Sequence, residues 1–201
     1  MKTLIMLTLL FCAGQISFAQ DVSPNLPVDP ATSKVTFAKI VDAPGTSSKD
    51  LFQNAKKFLL TKNTSSNPFT IKYENMQEGS IISEGTFTLP AARRKYLVRF
   101  AFNVSTKDGK YKYSLSDIII QFHTDAKSSY GGYGGWGSST HKNAETLEYT
   151  VETFYPSRLN SKDPVIKFFE EIDEDSFVTI HRELKSFVSS FRQAMTSKDN
   201  W

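Results

Sequence analysis

The chain has 201 residues, of which 39% are hydrophobic and 22% charged, and its 24 Lys and Arg against 21 Asp and Glu leave a net charge of +3. A field this weak does not gather phosphate backbones, which sets nucleic-acid binding aside. One cysteine, Cys12, excludes an intramolecular disulfide framework.

Met1 to Ala19 reads as an export signal, with Lys2 as the positive n-region, Leu4 to Phe11 as the apolar h-region and Ser17-Phe18-Ala19 as a small-x-small cleavage site. Cleavage after Ala19 is expected, placing the mature chain in the periplasm or outside the cell. The apolar run is too short to span a hydrocarbon core of about 30 Å, so no stable membrane insertion is expected after cleavage. Cys12 follows the large Phe11, which does not suit the position before a lipidated cysteine. Loss of the signal removes Lys2 and Cys12, leaving 23 basic against 21 acidic residues, or +2, and no thiol nucleophile. The roughly 180 residues that remain suffice for one domain burying about 70% of its unfolded surface.

Residues 20–33, with Pro24, Pro27 and Pro30, read as an extended leader. Lys34 to Val41 alternates as a first strand and ends at Pro44-Gly45. Ser47 and Asp50 form a capping box for a helix whose Leu51, Phe52, Ala55, Phe58 and Leu59 share one face. Asn63 to Pro68 ends it. Phe69 to Tyr73 and Ser80 to Leu89 read as strands around a loop near Glu78-Gly79, and Pro90 breaks the second before Arg93-Arg94.

Lys95 to Thr124 reads as a β-hairpin about Asp108-Gly109, a pair suited to a type I′ turn with φ > 0 at both positions. Pairing outward sets Thr106 against Tyr111, Val104 against Tyr113 and Phe102 against Leu115. Strict pairing then puts Asp117 opposite Phe100, whereas the apolar residues resume at Ile118, Ile120 and Phe122. A β-bulge near Ser116-Asp117 restores them to the Phe100, Val98 and Tyr96 face. A polar, glycine-rich loop runs over about 125–143, and Leu147, Tyr149 and Val151 then alternate as a further strand. Asp163-Pro164 suits a helix start. A long helix follows, with Phe177, Ile180, Leu184, Phe187, Val188, Phe191 and Met195 as its apolar stripe. The order predicts an α+β fold in a single domain over 34–197, with a curved antiparallel sheet and two helices on one face.

The segments Leu26-Pro27-Val28-Asp29, Lys34-Val35-Thr36-Phe37, Pro44-Gly45, Ser48-Lys49-Asp50-Leu51-Phe52 and Ala55-Lys56, with the turn Lys107 to Tyr113 and Leu115-Ser116-Asp117, resemble a family of unknown function, DUF4468. The resemblance covers about Leu26 to Phe122. It implies a fold similar to one repeat of the TATA-box-binding protein, in exported proteins of Gram-negative bacteria, and carries no catalytic residues.

Gly132 to Gly137 fits G-x-G-x-x-G, but an antiparallel hairpin precedes it and no helix start follows, so the phosphate-cradling geometry of the dinucleotide fingerprint is missing. Five glycines in seven residues favour a flexible surface loop. On such a loop Tyr130, Tyr133 and Trp136 suit stacking on a sugar or packing on a partner, and they form the candidate binding set. The acidic run Glu170, Glu171, Asp173, Glu174 and Asp175 lacks the glycine and distant glutamate of a calcium loop, and a helix start accounts for it. His123, His141 and His181 have no metal-ligand spacing, and no nucleophile elbow is present. Asn63-Thr64-Ser65 and Asn103-Val104-Ser105 fit the glycosylation sequon, which matters only where the host glycosylates secreted proteins; in the bacterial reading that the resemblance implies they are chance matches. No metal, cofactor or catalytic residue is therefore expected. The reading that results is a non-enzymatic binding or scaffold module of the periplasm or cell envelope, partnered by an envelope protein or glycan. A hydrolase of envelope polymers or glycans is the alternative, because a carboxylate pair made by folding leaves no local signature.

Overall fold

The computed structural model describes residues 26–64, 67–90, 95–124, 145–155 and 174–196. The expected export signal over 1–19, the loop residues Tyr130, Tyr133 and Trp136, and the helix start at Asp163-Pro164 lie outside them. In chain order the described elements are β1 (Phe37–Asp42), α1 (Ser48–Lys62), β2 (Phe69–Asn75), β3 (Ser80–Pro90), β4 (Lys95–Lys107), β5 (Lys110–Thr124), β6 (Glu145–Thr150), a 3-10 turn over Val151–Thr153, and α2 (Glu174–Thr196). The strands form one antiparallel sheet in the order β1-β5-β4-β3-β2, and β6 pairs with the second half of β5. The sheet and its two helices are the expected α+β architecture.

β5 has two neighbours along one side, since Lys110 to Leu115 pair with β1 and Ile119 to Thr124 pair with β6. The change of neighbour falls at the expected bulge. Register against β4 shifts between Arg99 and Ala101, and Asp117 there has φ +51°. Phe102↔Leu115, Val104↔Tyr113 and Thr106↔Tyr111 pair as the alternation requires, and Val98↔Ile120 resumes beyond the bulge. Lys34 donates to Asp117 at 2.7 Å, and that bond holds the Asp117 carboxyl below the usual carboxylate range.

Two expectations are corrected. The turn is not type I′, because Gly109 has φ +72° while Asp108 keeps a negative φ, the φ pattern of a type II turn. Contacts distant in sequence hold it that way: Asp108 Oδ1 accepts from Ser48 N at 2.7 Å, Gly109 N donates to Thr46 O at 2.9 Å, and Gly109 O accepts from Ala43 N at 2.8 Å. β1 also starts later than Lys34. Val35 bridges Val28 instead, and Thr36 N donates to Pro27 O at 2.8 Å. Of the leader expected over 20–33, the described part is anchored: Leu26 is buried and its N–H donates to the Tyr155 hydroxyl.

Both helices cover the face on which Ile81, Phe87, Val98, Phe100, Phe102, Val104, Tyr111, Leu115, Ile118 and Ile120 are buried. α1 contributes Leu51, Phe52, Ala55, Phe58 and Leu59, the face its spacing predicts. α2 contributes Phe177, Ile180, Leu184, Val188, Phe191 and Met195. Its expected stripe is thus buried throughout except Phe187, which is half-buried.

Three chain reversals meet at the hairpin end. Ser47 caps α1 by accepting from Asp50 N at 3.1 Å, one half of the expected box, its hydroxyl also donates to Asp50 Oδ2 at 2.7 Å, and the Asp108 carboxylate takes the next free helix N–H, that of Ser48. Asp108→Ala is expected to cost about 1 kcal/mol, the usual worth of a helix-start acceptor. Asp108→Asn, which retains the acceptor oxygen, should lose less. Denaturant midpoints check this, and an Ala variant as stable as wild type would show that the contact contributes nothing.

Candidate functional site

A cleft of about 350 Å³ opens where the last turn of α1, the β2–β3 edge and the middle of α2 come together. Phe69, Phe87, Phe100 and Phe187 form its floor; Lys62, Asn67, Thr86, Glu183, Ser186 and Ser190 stand around it. The floor is a ring cluster. Phe187 stacks on Phe69 at 5.4 Å and 13°, and meets Phe100 edge-on at 5.4 Å and Phe102 at 5.0 Å. Such pairs each add about 0.5–1.5 kcal/mol beyond area burial, so the floor is rigid.

Gly85 makes that floor possible. A Cβ there would lie 2.4 Å from Phe69 Cε2 and 2.7 Å from Phe100 Cζ, so only glycine lets both rings close over β3. The rim is laced from below. Phe69 N donates to Asn63 Oδ1 at 3.1 Å, Asn67 N to Thr64 Oγ1 at 3.1 Å, and the Thr86 hydroxyl to Pro68 O at 3.2 Å. Lys62 Nζ lies 5.4 Å above the Phe58 ring. Ser186 and Ser190 lie one turn apart on α2, and both line the cleft. An apolar floor with a few convergent polar groups is the usual character of a ligand site.

Glu183 is the one carboxylate among the cleft's described lining residues. His181 lies away from the cleft, stacked on Phe37 at 6.0 Å; burial, and then the Lys185 charge, push its pKa down. His141 and the side chain of His123 are outside the described residues, as is most of the acidic run, whose Glu174 and Asp175 begin α2. Among the described residues no group of three His, Cys, Asp or Glu side chains could hold a metal ion. None of the cleft residues was singled out by sequence reasoning as functional, because they come from five elements and share no local pattern.

The opposite face of the sheet mixes charged side chains with the exposed Ile40 and Ile82, and no described helix packs on it. Its β6 end is neutralised by a network: Arg99 pairs with Glu148 at 3.0 Å and Glu84 at 3.4 Å, Lys72 with Glu84 at 3.5 Å, and Gln121 donates to Glu148.

Comparison with known proteins agrees with this architecture. A crystal structure of a TBP-like protein from Parabacteroides distasonis has a TM-score of 0.58 at 16% identity, covering 87% of this chain and 99% of that one. A crystal structure of a DUF4468 family protein from Bacteroides ovatus has a TM-score of 0.50 at 14% identity, covering 88% and 93%. At these identities the likeness shows the fold alone. No curated protein matches the chain. Residues 37–121, from β1 through most of β5, match the sequence profile described as a domain of unknown function (DUF4468) with TBP-like fold. With the sheet order, the two helices and this match in agreement, residues 37–121 carry the DUF4468 profile and the chain has a TBP-like fold.

Proposed function

We propose that the protein is an exported, non-enzymatic binding module of the periplasm or cell envelope, and that the ring-floored cleft is its binding site. The observation that carries the reading is the cleft itself: four phenylalanines form a rigid floor, with hydroxyl, amide, ammonium and carboxylate groups around it. The signal features of residues 1–19 support export. Tyr130, Tyr133 and Trp136 form a second recognition element in this proposal. A hydrolase of envelope polymers is the second reading. It requires two carboxyl groups about 5–10 Å apart, and the cleft's described lining supplies Glu183 alone.

The test is crosslinked co-purification from native envelope fractions, using the mature protein, Ser186→Trp to fill the cleft, and the Tyr133→Ser, Trp136→Ser double variant. One protein or glycan recovered by wild type and lost with Ser186→Trp is the expected result. Equal recovery by wild type and Ser186→Trp would move binding out of the cleft. Release of soluble sugar or peptide from envelope polymer by the purified protein would replace this reading with the hydrolase.

A further inference from the structure

On the face of the sheet turned away from the helices, a second and smaller hollow of about 230 Å³ lies at the hairpin end. Ile40, Ser105, Lys107, Lys110, Tyr111 and Lys112 line it. The strand register explains the grouping. Lys107 stands directly across the hairpin from Lys110, and Lys112 lies between Ser105 on β4 and Ile40 on β1. Side chains alternate along β5, so Lys110 and Lys112 share this face, and pairing brings Lys107 and Ile40 to it.

Two features of this hollow suit an apolar, negatively charged occupant. Like charges directly opposite across a hairpin destabilise it, yet Lys107 and Lys110 are so placed, and among the described residues none of the three lysines has an ion-pair partner within 4 Å. Asp42, opposite Lys110 on the other side, is the nearest compensating carboxylate in the register. Ile40 is 64% exposed, the most exposed large hydrophobic residue of the described chain. An exposed β-branched residue inside a lysine rim matches an apolar side chain flanked by negative charge.

We propose that this hollow is a docking site for an extended acidic peptide segment, which sets an apolar side chain against Ile40 and carboxylates on Lys107, Lys110 and Lys112. The lysines attract the segment, and Ile40 selects an apolar residue within it. The site is on the other face of the sheet from the cleft and stands independently of the function proposed for it. Its lysine stems and Ile40 also argue against a nucleic-acid backbone, which offers no apolar group at this spacing.

The test uses the purified mature protein and a synthetic peptide of alternating glutamate and leucine, followed by amide chemical shifts and a binding isotherm. Shifts confined to β1, the hairpin end of β4 and the start of β5 are expected. Affinity should fall roughly tenfold or more in Lys110→Glu, Lys112→Glu, with a similar loss for wild type when salt is raised to about 0.5 M. Ile40→Ser should weaken the glutamate–leucine peptide and leave an all-glutamate peptide unaffected. All the substituted positions are exposed, and unchanged far-ultraviolet dichroism confirms folding. The proposal is overturned if the charge-reversed variant binds as well as wild type, if the all-glutamate peptide or duplex DNA binds wild type as tightly, or if no shifts appear. It is also overturned if Ile40→Ser abolishes self-association without affecting the peptide, which would assign this face to a second copy of the chain.

Discussion

Phe191→Ala is expected to destabilise the domain by about 3–5 kcal/mol, the range for emptying a buried aromatic site. Phe191 is fully buried and touches four rings: Phe58 at 5.4 Å, Phe102 at 4.9 Å, Tyr111 at 5.9 Å and Tyr113 at 5.8 Å. Phe58 belongs to α1, Phe102 to β4 and the two tyrosines to β5, so one side chain ties α2 to three other elements. Against a total stability of about 5–15 kcal/mol such a loss is a large fraction, with a Tm drop on the order of 10 °C. Phe191→Leu, which keeps most of the volume, should cost less than half as much. Thermal and denaturant unfolding of the three proteins decide the matter, and an Ala variant within about 1 kcal/mol of wild type would mean that α2 is not seated as described.

Gly79→Ala should cost about 2–4 kcal/mol although it adds a single methyl group. Gly79 has φ +64°, a left-handed conformation costing an L-residue about 1 kcal/mol or more. The larger part is steric. An added Cβ would lie 2.4 Å from the Thr106 carbonyl oxygen and 2.6 Å from its hydroxyl, and a backbone oxygen inside a sheet cannot move aside. That same strand also bonds back, Thr106 N donating to Gly79 O at 2.7 Å, while the Thr106 hydroxyl meets Ser48 Oγ at 3.0 Å. Displacing Gly79 therefore disturbs the β2–β3 turn, the end of β4 and the start of α1 together. Gly45→Ala makes the control: its φ is +79° but its Cβ would meet nothing within 4 Å, so it isolates the conformational cost. Equal losses for the two variants would show that crowding at Thr106 contributes nothing.

Much of the architecture was legible because its causes are local. The Ser47–Asp50 cap, the apolar face of α1 and the stripe of α2 follow from spacing along a helix, and each is found where the spacing puts it. The bulge at Asp117 was legible for a related reason: a period of two in β5 slips by one residue, and burial of one face permits a single remedy. The α+β class and the resemblance to DUF4468 rest on the same features.

Where the cause is a contact between distant segments, local reading failed or was silent. Asp108-Gly109 has the composition of a type I′ turn, but the carboxylate's bond to Ser48 N and the bonds of Gly109 to Thr46 and Ala43 hold it otherwise. Val35 alternates like part of β1, yet it pairs with Val28 because Leu26 is drawn into the core. The cleft gathers residues from positions 61 to 190, and the lysine-rimmed hollow exists because β1 pairs with β5. Lys107, Lys110 and Lys112 carried a partial signal, since the hairpin register already groups them; what was invisible was Ile40 arriving beside them. Periodicity and capping act over a few residues and are written in the chain, whereas turn geometry under tertiary load, clefts and charge patches depend on which strands become neighbours, and that is settled by burial of the whole core.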